Sequence, residues 1–331
     1  MLHLFVINPK SFRSTSEVEA VVTEIIQAFS KNHEPYKVYM SRAPRDAIGA
    51  INKYVEAAPR GETVRVYAVG GDGILFDCIN GIIGLPNAEI TNVPYGNSND
   101  FLLSFGERSY PSFSDIQLLA YSPTTETDVL YCGNTHAINC CCIGIEASAI
   151  LKTASLLNIL GKTKVLHRLI PAVYFCGEII AAIDSGLRRQ KYTVIIDGEF
   201  FGGVFGVINI GNGSHNAGGR TPQPYALPND GLLDVILYKS SSVFNALRIV
   251  GPYLRGNFEH YPDNFIYRRA KRIEVRSEQP LPIVIDGETF YDTFINVEVM
   301  PKAVNFITPP GMTYRTAADE PLGAKLKPRK K

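Results

Sequence analysis

The chain has 331 residues, 45% of them hydrophobic, and a formal net charge of +1. That length is enough for two ordinary domains with a core each, and the near-neutral balance excludes a disordered chain and a general polyanion binder such as a nucleic-acid protein. No apolar run reaches the roughly 20 residues that a membrane span needs; "AVYFCGEIIAAI" stops short and contains Glu178.

The N-terminus, "MLHLFVINPKSF", has no basic leader and no small-residue cleavage site, so it reads as a first strand and the expected location is cytoplasmic. Six cysteines in such a chain are expected to be reduced thiols. Cys140, Cys141 and Cys142 are consecutive, and neighbours on a strand point to opposite faces, which suits a buried structural role better than a metal cluster.

The first hundred residues alternate strand and helix signals. "LHLFVIN" is a short apolar run. "STSEVEAVVTEIIQAF" carries Val18, Val21, Val22, Ile25, Ile26 and Phe29 at helical spacing, with Ser14 and Glu17 placed as a capping box. "YKVYM" follows as a strand, "PRDAIGAINKYVEAA" as a helix opened by Pro44, and "TVRVYAVG" as a strand entering glycines. A helix from Ile74, the strand "AEITNVPYG" and a helix near Asn99 complete the alternation, which predicts a doubly wound parallel sheet in an α/β domain.

Ligands of such sheets sit at the carboxyl ends of the strands, where "NPKS", "GGDG" and "PYGNSND" fall. A strand running into Gly70, Gly71, Asp72 and Gly73 before a helix exposes backbone N–H groups at the positive end of a helix dipole, an arrangement that holds phosphate. Asn8, Lys10 and Ser11 stand at the end of the first strand. Gly96, Asn97, Ser98, Asn99 and Asp100 follow the fourth. Three polar loops thus converge on one crevice suited to a nucleotide.

After about Asp128 the pattern changes to β-rich runs broken by glycine, proline and Asp-Gly turns, which predicts an antiparallel sandwich or barrel. The expected division is a nucleotide-binding domain over 1–128, a β-rich domain over 129–308 with a helical insertion, "GKTKVLHRLIPAVYFCGEIIAAIDSG", and a tail over 309–331 that could pack back on the first domain. The tail ends in "KLKPRKK", whose five basic residues could favour an anionic membrane surface.

In order, "NPKSF", "GGDGILFD", "PYGNSNDF", "NIGNGSHNAGGR", "NDGLLDV" and "IDGE" resemble the motifs of the lipid kinases that include soluble bacterial diacylglycerol kinases, sphingosine kinases and ceramide kinases. The first three are also similar to those of the related NAD kinases. The sequence departs from the family at Ile74, Phe76, Asp77 and Asn97, and also at Arg220 and Asn229. The resemblance implies ATP and Mg²⁺ as cofactors, with Asp72 beneath the phosphates acting on the metal. It implies Glu288 of "VIDGETF" as the catalytic base; the similar "IIDGEFF", with Asp197 and Glu199, is expected to be a surface hairpin. It also implies a structural Mg²⁺ on the side chain of Asp230 and the carbonyls of Leu227 and Leu232. The expected activity is transfer of the γ-phosphoryl of ATP to a lipid hydroxyl, such as that of diacylglycerol, at a membrane surface. A nucleotide binder with little catalysis, a kinase for a soluble alcohol, and a homodimer stay open at this point.

Overall fold

The structure is a computed structural model that describes residues 1–30, 34–96, 98–149, 190–239 and 242–319, together with positions 151, 177, 180, 181, 183. Asn97, the basic segment 325–331 and nearly all of the helical insertion lie outside the described residues.

The first region alternates strand and helix: β1 (Leu2–Ile7), α1 (Thr15–Ser30), β2 (Tyr36–Met40), α2 (Asp46–Glu56), β3 (Val64–Gly70), α3 (Asp72–Ile82) and β4 (Ala88–Pro94). The four strands are parallel in the order β2-β1-β3-β4. All seven residues of β3 are buried, as in a parallel sheet covered on both faces. In α1 the buried residues Val21, Ile25, Ala28 and Phe29 keep the helical spacing that the sequence displays. Ser14 Oγ accepts the Glu17 N–H at 3.3 Å, while Glu17 reaches back to the N–H of Arg13 at 2.9 Å, one residue short of a capping box.

Three expected helix starts shift. Pro44 does not open α2; Asp46 does, its carboxylate accepting the N–H groups of Arg42 and Ala43 at 2.7 and 3.3 Å, with Arg45 before it in the left-handed region at φ 70°. The third helix, α3, begins at Asp72 rather than Ile74, immediately after Gly71. The helix expected near Asn99 is a 3₁₀ turn over Asp100–Phe105. Two short helices, α4 (Tyr110–Phe113) and α5 (Ile116–Ala120), end the region.

The second region comprises β5 (Thr124–Cys132), β6 (Thr135–Ala137), β7 (Cys140–Gly144), β8 (Lys191–Ile196), β9 (Glu199–Gly211), β10 (Leu233–Lys239), β11 (Phe265–Ala270), β12 (Arg272–Ile285) and β13 (Glu288–Ile307). Between β10 and β11 lies α6 (Val243–Tyr253), capped by Ser242. Strands β9 and β12 each pair with β8 along one part and β7 along another, so each passes from one layer of the sandwich-like region to the other. Ile143, Val194, Ile210, Val235, Ile273, Ile283 and Val297 fill the core between them.

The 20-residue β13 joins the two regions. Its first half pairs with β12, its second half with β5, and its end lies parallel to β4 through Asn305 and Phe306. A bulge between Met300 and Val304 bends it. Beyond β13 the chain returns to the first region's core, where the Tyr314 ring lies 4.3 Å from that of Phe105 and its hydroxyl 2.6 Å from Thr127 Oγ1. The five described cysteines are buried free thiols.

Candidate active site

The strand-end loops of the first region meet backbone to backbone. A Cβ on Gly96 would stand 2.2 Å from the Gly71 Cα, and one on Gly71 would stand 2.8 Å from the Ser98 carbonyl oxygen, so neither position admits a side chain. The Asp72 N–H donates to that Ser98 carbonyl at 3.2 Å, and the Tyr95 N–H to the Gly70 carbonyl at 3.2 Å. Asn8 Oδ1 accepts the Lys10 N–H at 3.1 Å and fixes the turn that carries Lys10 and Ser11. The amino end of the 11-residue α3 is thereby left open to the cleft.

That cleft encloses about 650 Å³ between the regions. Asn8, Lys10 and Ser11 line it from the first loop, Gly71, Asp72 and Gly73 from the second, and Gly96, Ser98 and Asp100 from the third. Of the other residues expected at the nucleotide, Gly70 sits behind the loop against Ser11 and Ile74, and buried Asn99 donates through Nδ2 to the Gly96 carbonyl at 3.1 Å. Both shape the cradle from behind.

Three carboxyl groups crowd the cleft floor. Asp72 accepts the Asp100 N–H at 3.0 Å; burial, and next the charge of Asp100, push its carboxyl well above the usual range. Asp286 adds to that field. Asp100 turns its carboxylate to the N–H groups of Gly218 and Gly219 at 2.9 and 2.8 Å, so the "NAGGR" loop of the second region clamps the first. Its side chain makes that clamp at the edge of the cleft, which Asp100 also lines. Asp286 accepts the N–H groups of Ile138, Asn139 and Cys140 at 2.7, 3.1 and 2.8 Å, and burial lifts its carboxyl to about 6.

Glu288 follows the same turn but stays half-exposed, with Oε1 3.5 Å from where a Cβ on Gly73 would stand. It therefore lies over the first turn of α3, beside Asp72. Its other oxygen is 3.4 Å from Arg45 Nη2. Sequence reasoning missed Arg45, because the partner that fixes it, Asp77, lies 32 residues away. The departures Ile74, Phe76 and Asp77 are all buried in packing or pairing and do not face the cleft.

A hard cation with a nucleotide's phosphates suits this floor. The burial and crowding that raise the Asp72 carboxyl are relieved when a cation takes the place of its proton, and a magnesium ion commonly takes one or two carboxylates with phosphate and water. Among the described residues no group of three or more His, Cys, Asp or Glu side chains could hold a metal alone. In the loop expected to hold a structural Mg²⁺, the Asp230 side chain and the Leu227 carbonyl have protein partners. Asp230 is paired with Arg269 and accepts the Leu232 N–H at 3.0 Å, and the Leu227 carbonyl accepts the Asn229 N–H at 2.9 Å. The loop is anchored on Asp128, which accepts the N–H groups of Gly231 at 2.7 Å and Lys302 at 2.8 Å.

Comparisons with known proteins bear directly on this arrangement. Residues 3–132 match the diacylglycerol kinase catalytic domain, and residues 162–308 match the YegS C-terminal NAD kinase beta sandwich-like domain. The chain belongs to the diacylglycerol kinase-like lipid kinases. Within the family it is 27% identical over 263 residues to a "Probable lipid kinase YegS-like" of Shewanella frigidimarina, covering 78% of this chain and 81% of the relative. It is 29% identical over 255 residues to a protein of the same name from Pseudomonas putida, covering 74% and 77%. A crystal structure of a diacylglycerol kinase from Bacillus anthracis shares the fold, with a TM-score of 0.66 at 18% identity over 94% of this chain and 98% of that one. Among the described residues of this lipid kinase relative, no helix is long and apolar enough to cross a membrane.

Proposed function

We propose that the protein is an ATP-dependent lipid kinase that transfers the γ-phosphoryl group to a hydroxyl of a membrane lipid of the diacylglycerol kind. The observation that carries this reading is the position of Glu288, which brings a carboxylate of the second region over the amino end of α3, beside Asp72 of the first. A phosphate seated on the α3 N–H groups would then lie between a metal-holding carboxylate and the carboxylate of Glu288.

Phosphoryl transfer needs positioning and charge neutralisation more than covalent chemistry. Asp72 would hold Mg²⁺, which supplies that neutralisation at the phosphates when bound. The glycine amides and Lys10 bind and orient the nucleotide. Asp286 is saturated by three amide donors and braces the turn, leaving Glu288 as the carboxylate able to take the proton of the attacking hydroxyl. Leu75, Cys140, Cys142, Ala149 and Val284 continue the cleft as an apolar wall, broken by Asn139, Arg220 and the pair of buried Glu146 and Asn216, whose amide donates to Glu146 at 3.3 Å. Such a wall suits an amphiphile whose hydroxyl end meets Glu288.

The test is purified protein with Mg-ATP and a panel of lipids in mixed micelles: diacylglycerol, long-chain alcohols and sphingoid bases. Phosphorylated lipid should form, and Asp72→Asn should remove nearly all of it while the fold persists by circular dichroism. ATP binding with no transfer to any lipid would support a degenerate binder, and transfer to a soluble alcohol would discard the lipid.

A further inference from the structure

Arg45 occupies a backbone conformation that suits glycine, and its contacts account for an arginine being kept there. Its φ is 70°, in the left-handed region that a residue with a Cβ enters only at a cost. Buried Asp77 holds it twice, accepting the Arg45 N–H at 3.0 Å through Oδ2 and the guanidinium Nη1 at 3.2 Å through Oδ1. The guanidinium carbon lies 4.1 Å from the ring centroid of fully buried Phe76. From this seat Nη2 reaches Glu288 Oε2 at 3.4 Å. Glu288 lines the cleft and Arg45 does not, so the arginine holds the carboxylate from outside the cleft lining.

We infer that Arg45 is a positioning residue for Glu288, fixing through Asp77 and Phe76 the direction in which that carboxylate meets the acceptor hydroxyl. The inference rests on the reading of Glu288 as the base and adds a residue to it. Strain kept at a residue that touches no ligand is accounted for when the residue orients one that does. A guanidinium gripped at two points transmits direction as well as charge.

Arg45→Gly tests this cleanly. It retains the N–H that Asp77 accepts and relieves the left-handed backbone, which offset the lost guanidinium contact, and circular dichroism separates loss of folding from loss of turnover. Turnover should fall about 10- to 100-fold, the scale of a misplaced catalytic group, with the KM for ATP unchanged. Arg45→Lys should recover part of the loss. In the Glu288→Gln background, the same Arg45→Gly change should cost nothing further in single-turnover transfer. An equal loss in both backgrounds, or no loss with the wild-type Glu288, overturns the inference while leaving the base intact. Full turnover in Glu288→Gln alone overturns the base assignment and this inference with it.

Discussion

Asp197-Gly198-Glu199 and Asp286-Gly287-Glu288 follow nearly the same apolar run and fold into nearly the same turn. The aspartates have φ 45° and 47°, the glycines 89° and 87°, as a two-residue type I′ hairpin requires. Their surroundings differ. Exposed Asp197 accepts the N–H groups of Lys271 and Arg272 at 3.0 and 2.9 Å, whereas buried Asp286 closes on three amides of the β6–β7 connection. Glu199 forms two bonds with Arg268 in solvent, and Glu288 faces the amino end of α3 with Arg45 behind it. The difference teaches that the tripeptide determines a turn, while the partner packed against that turn determines whether its acids do chemistry.

The contrast should be widest in stability. Asp286→Ala leaves three buried N–H groups without an acceptor and should cost about 4 kcal/mol at pH 5, while Asp197→Ala, whose donors water can reach, should cost less than about 1 kcal/mol. Urea denaturation of the pair measures both. Equal losses would mean that the buried clamp contributes nothing special.

The Asp286 gap should also depend on pH. Its folded carboxyl titrates near 6, above the ~3.9 of an unfolded aspartate, so its proton favours the native state below the unfolded value and that contribution is lost as pH rises through 6. The difference between wild type and Asp286→Ala should therefore narrow by about 1 kcal/mol between pH 5 and pH 7. A gap that widens over this range would reverse the sign.

The two glycines should behave alike. Gly198→Ala and Gly287→Ala each force a Cβ into the left-handed region and should each cost about 1 kcal/mol. Unequal costs would show that tertiary packing, and not the local turn, sets the backbone.

The strand-glycine-helix pattern was legible because it is local: "VYAVGGDG" announces both the end of β3 and the start of α3 within a few residues. The parallel order and the convergence of three loops followed from it. Arg45 was not legible, since its left-handed turn depends on Asp77 and the position looked like a helix opened by Pro44. Nor was the clamp of Gly218 and Gly219 on Asp100, which closes across 118 and 119 residues. Strand β13 falls on the β-rich run "TFINVEVMPKAVNFITP", but its bulge at Met300-Pro301-Lys302 has no local signal, since it is Asp128, far away in the chain, that takes the Lys302 N–H. The sequence reading also passed over α6 and β11, although Ala246, Ile249 and Tyr253 carry the buried face of that helix.

The central claim, that one of two matching turns supplies the base, is tested most directly by measuring lipid phosphorylation and ATP binding in Glu288→Gln and Glu199→Gln side by side. Glu288→Gln should lower turnover by roughly 10²–10⁴-fold, the range expected for losing general-base help, and leave ATP binding intact. Glu199→Gln should match wild type in both. Comparable turnover in the two variants, or a loss confined to Glu199→Gln, would contradict the account.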